Sequence, residues 1–314
     1  IARAACTRMA TQPVPLRLWA DGDVFRSCIA DGGRQRINQA ITSGVELLGD
    51  PGPSADVELV RLLLAAAGSL GLRPEHRPTL LVGHHGVLQA LLHDCPEQQR
   101  QGIRRALTGF DRLGLQQQPL TPQQQDQLQN LLALRADATT VLAQLRTRLG
   151  ACAPLEQLAQ VLAWVEPAAQ RHGVRVQLDP TFQPHFDLYD GLVLKLVCQG
   201  EAVPVAVASG GRYDALVGRF STNESRRTLP AAGVGFGFDV EQLRDLLQAP
   251  AADAAPVLVA YAHEGLLAEA IDRLEQLHGE GRAAELHGSP LANRQLADRV
   301  AGERHCSGVD WLGG

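Results

Sequence analysis

Lysine and clustered positive charge are scarce in this chain. Lys195 is its only lysine, and scattered arginines supply the remaining positive charge, for a net charge of −5. Proteins that bind DNA or tRNA present a concentrated basic patch. We therefore expect no nucleic-acid partner; a patch assembled only in three dimensions is the alternative left open.

Paired cysteines and long apolar runs are also lacking. The six cysteines stand far apart and never form Cys-x-x-Cys, so we interpret them as reduced, buried small hydrophobes. No run is long enough to span a membrane and no secretory pattern is present. These absences predict a cytoplasmic protein without a membrane partner.

Metal and dinucleotide motifs are missing as well. His84 and His85 are adjacent at a predicted strand end, where side chains point to opposite sides and rarely share an ion. Glycines 233, 235 and 237 alternate along a predicted strand, whereas a dinucleotide fingerprint opens a helix. We expect neither a metal nor a cofactor.

The pattern along the chain predicts an α+β fold. Leu16–Ala20 and Val24–Cys28 are predicted strands separated by a turn at Asp21-Gly22. Ile41–Leu48 is the predicted return strand of Val24–Cys28, after a polar loop at 29–35. A helical stretch follows at about 94–172, and strands then return. The order of strands, helices and strands favours helices beside an antiparallel sheet.

Two domains are expected from 314 residues, of which 45% are hydrophobic. The first spans 1–248, with the helical insert inside it. A Pro- and Ala-rich linker covers 249–256, and a small α/β unit covers 257–314. The chain begins at Ile1, inside a predicted helix, which predicts that part of the first domain precedes it.

The segment Val207–Val217 combines an apolar strand, a glycine pair and the sequence Arg-Tyr-Asp. Glycines without a Cβ permit close approach of a ligand, so Gly210-Gly211 is predicted to be a turn at a binding site, with Arg212 beside it. Pro230–Leu243, a glycine-dotted strand leading into a helix, follows. Together these segments resemble the end of the catalytic domain of histidyl-tRNA synthetases and their non-catalytic relatives.

The resemblance extends to two earlier strands. Val24–Arg26 resembles the start of the class II synthetase motif whose arginine grips the amino-acid carboxylate and a phosphate. Ser43–Gly49 is similar to the Gln-x-Gly-Val-Glu strand of the histidine pocket; Glu46 matches its glutamate and Thr42 takes the glutamine's place. A solvated Arg26 and an internal salt bridge of Glu46 remain the alternatives.

The resemblance fails at two arginines that an adenylating enzyme needs. Leu178–Gly191 resembles the histidine-specific motif and keeps Tyr189, but Pro184 holds the place of the catalytic arginine. Gln242 replaces the arginine that grips the tail of ATP. These losses predict a protein that has no adenylating activity and retains an amino-acid pocket.

The chain is therefore identified as similar to the regulatory subunits of ATP phosphoribosyltransferase. This resemblance implies a class II synthetase-like sheet, a short-form catalytic subunit as hetero-oligomeric partner, self-dimerisation, and feedback control of histidine biosynthesis by histidine. The implied effector-binding residues are Arg26, Thr42, Glu46, Tyr189, Gly210, Gly211 and Arg212. An active histidyl-tRNA synthetase and a free-standing amino-acid or tRNA sensor are the alternatives.

Overall fold

The computed structural model of the chain describes residues 1–29, 35–183, 188–200, 202–221, 229–247 and 255–313. Internal contacts divide the chain into two units, Ile1–Leu246 and Leu247–Gly314. The predicted linker at 249–256 lies mostly outside the described residues, so the domain boundaries drawn from the sequence stay predictions.

An eight-stranded sheet forms the centre of the first unit, in the order β1-β2-β8-β7-β6-β3-β5-β4. All neighbouring strands are antiparallel except β3 and β5, which are parallel. This confirms the predicted α+β class. The strands are β1 Leu16–Ile29, β2 Gln35–Leu48, β3 Thr79–His84, β4 Ala136–Asp137, β5 Arg175–Leu178, β6 Leu192–Gln199, β7 Pro204–Arg212 and β8 Gly233–Asp239.

Helices flank this sheet, and α4–α8 fall within the predicted helical insert. Their ends carry polar caps, for example Thr121, whose hydroxyl accepts from the backbone N–H of Gln124 at 3.3 Å. The helices are α1 Ala2–Arg8, α2 Pro53–Ser69, α3 His85–Leu91, α4 Glu97–Thr108, α5 Arg112–Gln116, α6 Pro122–Ala133, α7 Ala138–Leu149, α8 Ala153–Arg171, α9 Asp214–Phe220 and α10 Val240–Leu247.

The predicted turn at Asp21-Gly22 is wrong. β1 runs through it, with Asp21 opposite Ser43 and Gly22 opposite Thr42 on β2. Because the partner strand also continues, the ladder satisfies the backbone polar groups that a turn would have to satisfy otherwise, and this outweighs local turn propensity.

The glycine pair also lies in a strand instead of a turn. Gly210 and Gly211 belong to β7 and pair with Phe236 and Gly235 of β8. A Cβ on Gly210 would lie 2.7 Å from the α-carbon of Phe236. The two glycines therefore serve close packing between strands and neighbouring side chains, and the chain does not reverse there.

The second unit is a three-stranded parallel sheet in the order β10-β9-β11 with two helices. Side chains of the central strand alternate between two small cores: Leu258 and Ala260 enter one, Val259 and Tyr261 the other. Its elements are β9 Val257–Tyr261, α11 Leu267–Gly279, β10 Ala284–Leu286, α12 Arg294–Glu303 and β11 Gly308–Leu312. Across both units, no helix in the described ranges is apolar over a membrane-spanning length.

Candidate functional site

A cavity of about 400 Å³ opens on one face of the large sheet. Its volume is in the range of small-molecule sites, about 300–1,000 Å³. Strands β1, β2, β7 and β8 contribute its floor, and the start of α1, the loop before β6 and α9 contribute its walls. The lining residues are Ile1, Ala2, Ala20–Val24, Thr42, Gly44, Glu46, Leu188, Tyr189, Ser209, Tyr213, Leu216, Gly235, Phe236 and Gly237.

Strand alternation builds the floor. Thr42, Gly44 and Glu46 are spaced by two along β2 and therefore share the face that carries the cavity. Opposite them on β8, Gly237 pairs with Gly44 and Gly235 pairs with Glu46. Because these glycines have no side chains, space remains above the strands, and the cavity occupies it.

Glu46 is the carboxylate that faces this space. Burial raises its pKa above the ordinary value of 4.5, and a hydrogen bond from the Tyr213 hydroxyl to Oε2 opposes that rise. Burial raises the pKa of Tyr213 as well, so its hydroxyl remains protonated and donates. A desolvated carboxylate with a single neutral donor is suited to a cationic ligand.

Tyr189 forms a wall of the cavity from the loop that precedes β6. A Cβ on Gly211 would lie 2.8 Å from Cδ1 of its ring, so the glycine lets the tyrosine pack directly on the backbone of β7. Thr42 and Ser209 add hydroxyl groups to the lining. The cavity thus combines one carboxylate with several neutral hydrogen-bonding groups.

Basic side chains are missing from the lining within the ranges that the structure describes. Asp21 and Asp23 also contribute to the wall, although alternation along β1 directs their side chains to the opposite face of the hairpin. The described part of the cavity therefore favours positive over negative ligands. Such a cavity suits an ammonium or imidazolium group better than a triphosphate.

The structure brings together three of the predicted site residues, Thr42, Glu46 and Tyr189. Gly210 and Gly211 lie in the neighbouring strand β7 and shape the site through packing instead of lining it. The backbone of Arg26 pairs with Asn38 within β1–β2, but its side chain lies outside the described part of the structure.

Arg212 is placed away from this cavity, in a buried ion-pair cluster. Its Nε donates to Asp56 at 3.0 Å and its Nη1 to Asp214 at 3.2 Å. The carbonyl oxygens of Asp50 and Gly52 accept its remaining hydrogen bonds, at 3.3 and 3.1 Å. All three guanidinium nitrogens donate to protein groups, which gives Arg212 a structural role in joining β7 to α2 and the loop before it.

The adjacent histidines have separate partners. Nδ1 of His84 accepts from the backbone N–H of Gly86 at 3.1 Å and caps α3, and burial lowers its pKa to about 4. His85 contacts Gln89 at 2.7 Å and also Gln183. Within the described ranges, no three His, Cys, Asp or Glu side chains are grouped to hold a metal.

Tyr213 and Gly235 are site residues that the sequence reasoning missed. The signal for Tyr213 was alternation: Tyr213 directly follows β7 and has the same parity as Gly211, so it lies on the Glu46 side and Arg212 lies on the other. The signal for Gly235 is visible only once the register is known, because it depends on pairing with Glu46.

Comparison with known proteins agrees with this architecture. The histidyl-tRNA synthetase family model matches residues 1–243. An ATP phosphoribosyltransferase regulatory subunit from Synechococcus sp. (strain RCC307) is 46% identical over 100% of this chain and 80% of its own length.

Two solved structures share the fold. An ATP phosphoribosyltransferase regulatory subunit/histidyl-tRNA synthetase from Bacillus halodurans C has a TM-score of 0.70 and 25% identity, over 100% of this chain and 77% of that one. The ATP phosphoribosyl transferase (HisG:HisZ) complex from Thermotoga maritima gives 0.54 and 15%, over 74% and 75%. Because the sheet is synthetase-like and the whole chain aligns with such a subunit at 46% identity, the chain belongs to the ATP phosphoribosyltransferase regulatory subunit family.

Proposed function

We propose that this chain is the cytoplasmic histidine-sensing subunit of a two-subunit ATP phosphoribosyltransferase and controls the first step of histidine biosynthesis. The observation that carries the proposal is the cavity with a desolvated Glu46 and, in the described residues, no basic lining. The α-ammonium group of histidine is the cation that such a carboxylate would bind, and the imidazole N–H is a second hydrogen-bond donor.

The neutral groups of the cavity would fix the orientation of the amino acid. Tyr213 holds Oε2 of Glu46 in place, which leaves the other carboxylate oxygen for the ligand. Thr42, Ser209 and Tyr189 offer hydroxyl groups around it. This division between one charged anchor and several neutral groups is typical of small-molecule sites.

Replacement of two arginines supports a role without adenylation. Gln242 is a half-buried residue near the start of α10, and its neutral amide cannot replace a guanidinium fork at phosphate. Pro184 lies outside the described residues; a proline side chain has no hydrogen-bond donor. Loss of a well-placed arginine costs phosphoryl-transfer enzymes about 10³–10⁵ in rate.

Control of a catalytic partner would follow from linkage. Histidine that binds one state of the hetero-oligomer more tightly than the other shifts the population between them. A coupling free energy of about 1–3 kcal/mol is typical of allosteric proteins. The partner would be a short-form catalytic phosphoribosyltransferase subunit, and the complex would include a second copy of this chain.

Reconstitution with that catalytic subunit tests the proposal. We expect the complex to form, to be active, and to lose activity as histidine is added. In Glu46→Ala, the complex should stay active while the histidine concentration for half inhibition rises at least about tenfold, as for a lost charged hydrogen bond. Glu58→Ala, which removes an exposed carboxylate on α2, is the control and should leave inhibition unchanged.

Calorimetric titration of histidine into this chain alone, as wild type and as Glu46→Ala, measures histidine binding separately from inhibition of the catalytic subunit. If Glu46→Ala binds histidine with wild-type affinity, histidine does not bind at Glu46 and the proposed site is wrong. The family model favours one other candidate, an active synthetase. Histidine-dependent exchange of pyrophosphate into ATP by the chain alone would establish that candidate in place of ours.

A further inference from the structure

A second, larger opening of about 730 Å³ lies on the first unit, at the amino-terminal ends of β3 and β5. It shares no lining residue with the cavity of Glu46. We call it the arginine groove. Its lining residues are Arg77, Pro78, Thr79, Leu81, Arg135, Gly173, Arg175, Gln177, Val197, Cys198, Gln199 and Pro204.

Parallel pairing brings two of the three arginines together. Arg175 begins β5 opposite Thr79 of β3, and its backbone N–H donates to the carbonyl of Pro78 at 3.0 Å. Arg77 directly precedes Pro78. Because parallel strands start at the same edge of a sheet, the two side chains emerge at one corner of the groove.

The third arginine is held from two sides. Nε of Arg135 donates to Asp179 at 2.8 Å, and the guanidinium lies 4.7 Å from the centre of the Phe110 ring. Within the described residues, its Nη1 has no protein partner. The side chain is therefore fixed while one edge of its guanidinium remains available.

Two residues at the groove have unusual backbone conformations: Arg77 itself, and Phe110, whose ring contacts Arg135. Arg77 has φ of 46° and Phe110 has φ of 54°. Residues with a Cβ seldom adopt this region, which is a genuine outlier for a bulky aromatic. Such conformations persist where the surrounding structure enforces them, and they concentrate at binding sites.

The charge of the groove contrasts with that of the protein. No Asp or Glu lines it within the described ranges, and Asp179 is already engaged by Arg135. Lys195, the only lysine in the chain, lies opposite the lining residue Leu81, with Nζ 5.5 Å from the Phe182 ring. Three arginines thus line one opening on a chain of net charge −5.

We propose that the arginine groove binds a phosphate-bearing small molecule. Guanidinium groups match the geometry of phosphate oxygens with two parallel hydrogen bonds, and several of them favour a multiply charged anion. The volume admits a diphosphate or a mononucleotide. This site is independent of histidine sensing and does not require the proposed function to be correct.

Calorimetric titration of the full chain with inorganic pyrophosphate at low ionic strength tests the proposal. The groove variant is Arg77→Gly with Arg175→Gln, and the control is Arg61→Gln with Arg244→Gln, which removes two exposed charges elsewhere. We expect wild type and control to bind alike and the groove variant to bind at least about tenfold more weakly, as for lost charged hydrogen bonds. Absence of binding to wild type, or an equal loss in the control, would overturn the proposal.

Arg77→Gly alone separates binding from structure. Glycine adopts a positive φ readily, so the melting temperature should stay the same or rise while pyrophosphate affinity falls. A lower melting temperature with unchanged affinity would make Arg77 a structural residue and contradict the proposal. Parallel titrations with inorganic phosphate and adenosine 5′-monophosphate identify the source of the anion: tighter binding of the nucleotide indicates a nucleotide site.

Discussion

The carboxylate of Glu46 lies over the α-carbon of Gly235 on the neighbouring strand. A Cβ at position 235 would overlap Oε2, and it would also lie 2.9 Å from the carbonyl oxygen of Val45. The Glu46 carboxylate can therefore occupy this position only because Gly235 has no side chain. Sequence distance hides this relationship, since 189 residues separate the two positions.

Gly235→Ala is expected to destabilise the chain by about 1–3 kcal/mol, the usual cost of overpacking. The methyl group must displace the Glu46 carboxylate or push apart β2 and β8. If displacement of Glu46 is the main effect, Gly235→Ala combined with Glu46→Ala should recover part of the loss. Urea unfolding of the two single variants and the double variant measures this coupling.

Gly237→Ala provides a matched control for that experiment. It adds the same methyl group to the same face of β8, but the nearest heavy atom to its Cβ is the Ser43 carbonyl oxygen at 4.0 Å. Its stability should change by no more than about 0.5 kcal/mol. Equal losses in both glycine variants would show a general cost of alanine in β8, with no specific clash at Glu46.

Tyr213→Phe tests the hydroxyl that supports Glu46. That hydrogen bond lowers the pKa of Glu46 against the effect of burial, so its removal should raise the pKa further. The affinity for histidine at pH 7 should fall by up to about tenfold, consistent with one lost hydrogen bond to a charged group. Carbon-13 NMR titration of the glutamate carboxyl groups, assigned with Glu46→Gln, reports the pKa directly; an unchanged pKa would contradict this role.

Glu46→Gln should stabilise the isolated chain at neutral pH. Because the pKa of Glu46 is higher in the folded than in the unfolded state, ionisation costs stability as pH rises above its ordinary value of 4.5. The variant avoids that cost, so its advantage over wild type should shrink toward zero as the pH falls below 4.5. Thermal melts of both proteins across this pH range measure the difference.

Glu58→Gln should show the opposite sign. A hydrogen bond from Arg17 lowers the pKa of Glu58, so its ionised form stabilises the folded chain above its ordinary pKa of 4.5. The pair is exposed, which limits the loss at neutral pH to less than about 1 kcal/mol. If both glutamine variants shift stability in the same direction, burial of Glu46 does not control its ionisation.

The residue pattern along the sequence was sufficient to predict the fold class and some of the residues that line the cavity. Apolar periodicity located the buried helices, and the Gly-Val-Glu strand located Glu46 in the cavity. Local signals failed at Asp21-Gly22 and at Gly210-Gly211. There, pairing with a distant strand overrides the preference of the residues themselves, and that pairing is not visible in a local window.

The partners of a charged side chain were the least predictable feature. Arg212 stands beside two glycines and before a tyrosine, which suggested a ligand contact. Its actual acceptors include the side chain of Asp56 and the carbonyl of Gly52, both far away in sequence. Only the packing of α2 against the sheet brings these groups to the guanidinium.

Arg212→Met should destabilise the chain by about 3–5 kcal/mol, the cost of breaking a buried ion pair. The loss should grow with pH. Burial already raises the pKa of Asp56 to about 6 while Arg212 acts to lower it, so removal of Arg212 raises it further. When a carboxyl group has a higher pKa in the folded than in the unfolded state, the folded protein loses stability as pH rises. Urea unfolding should therefore show a larger difference in stability between wild type and Arg212→Met at about pH 8 than at about pH 5. Arg244→Met, which removes an exposed arginine, is the control and should leave stability close to that of wild type. Because Arg212 does not line the cavity, folded Arg212→Met should bind histidine with wild-type affinity; a large loss of affinity would return Arg212 to the binding site.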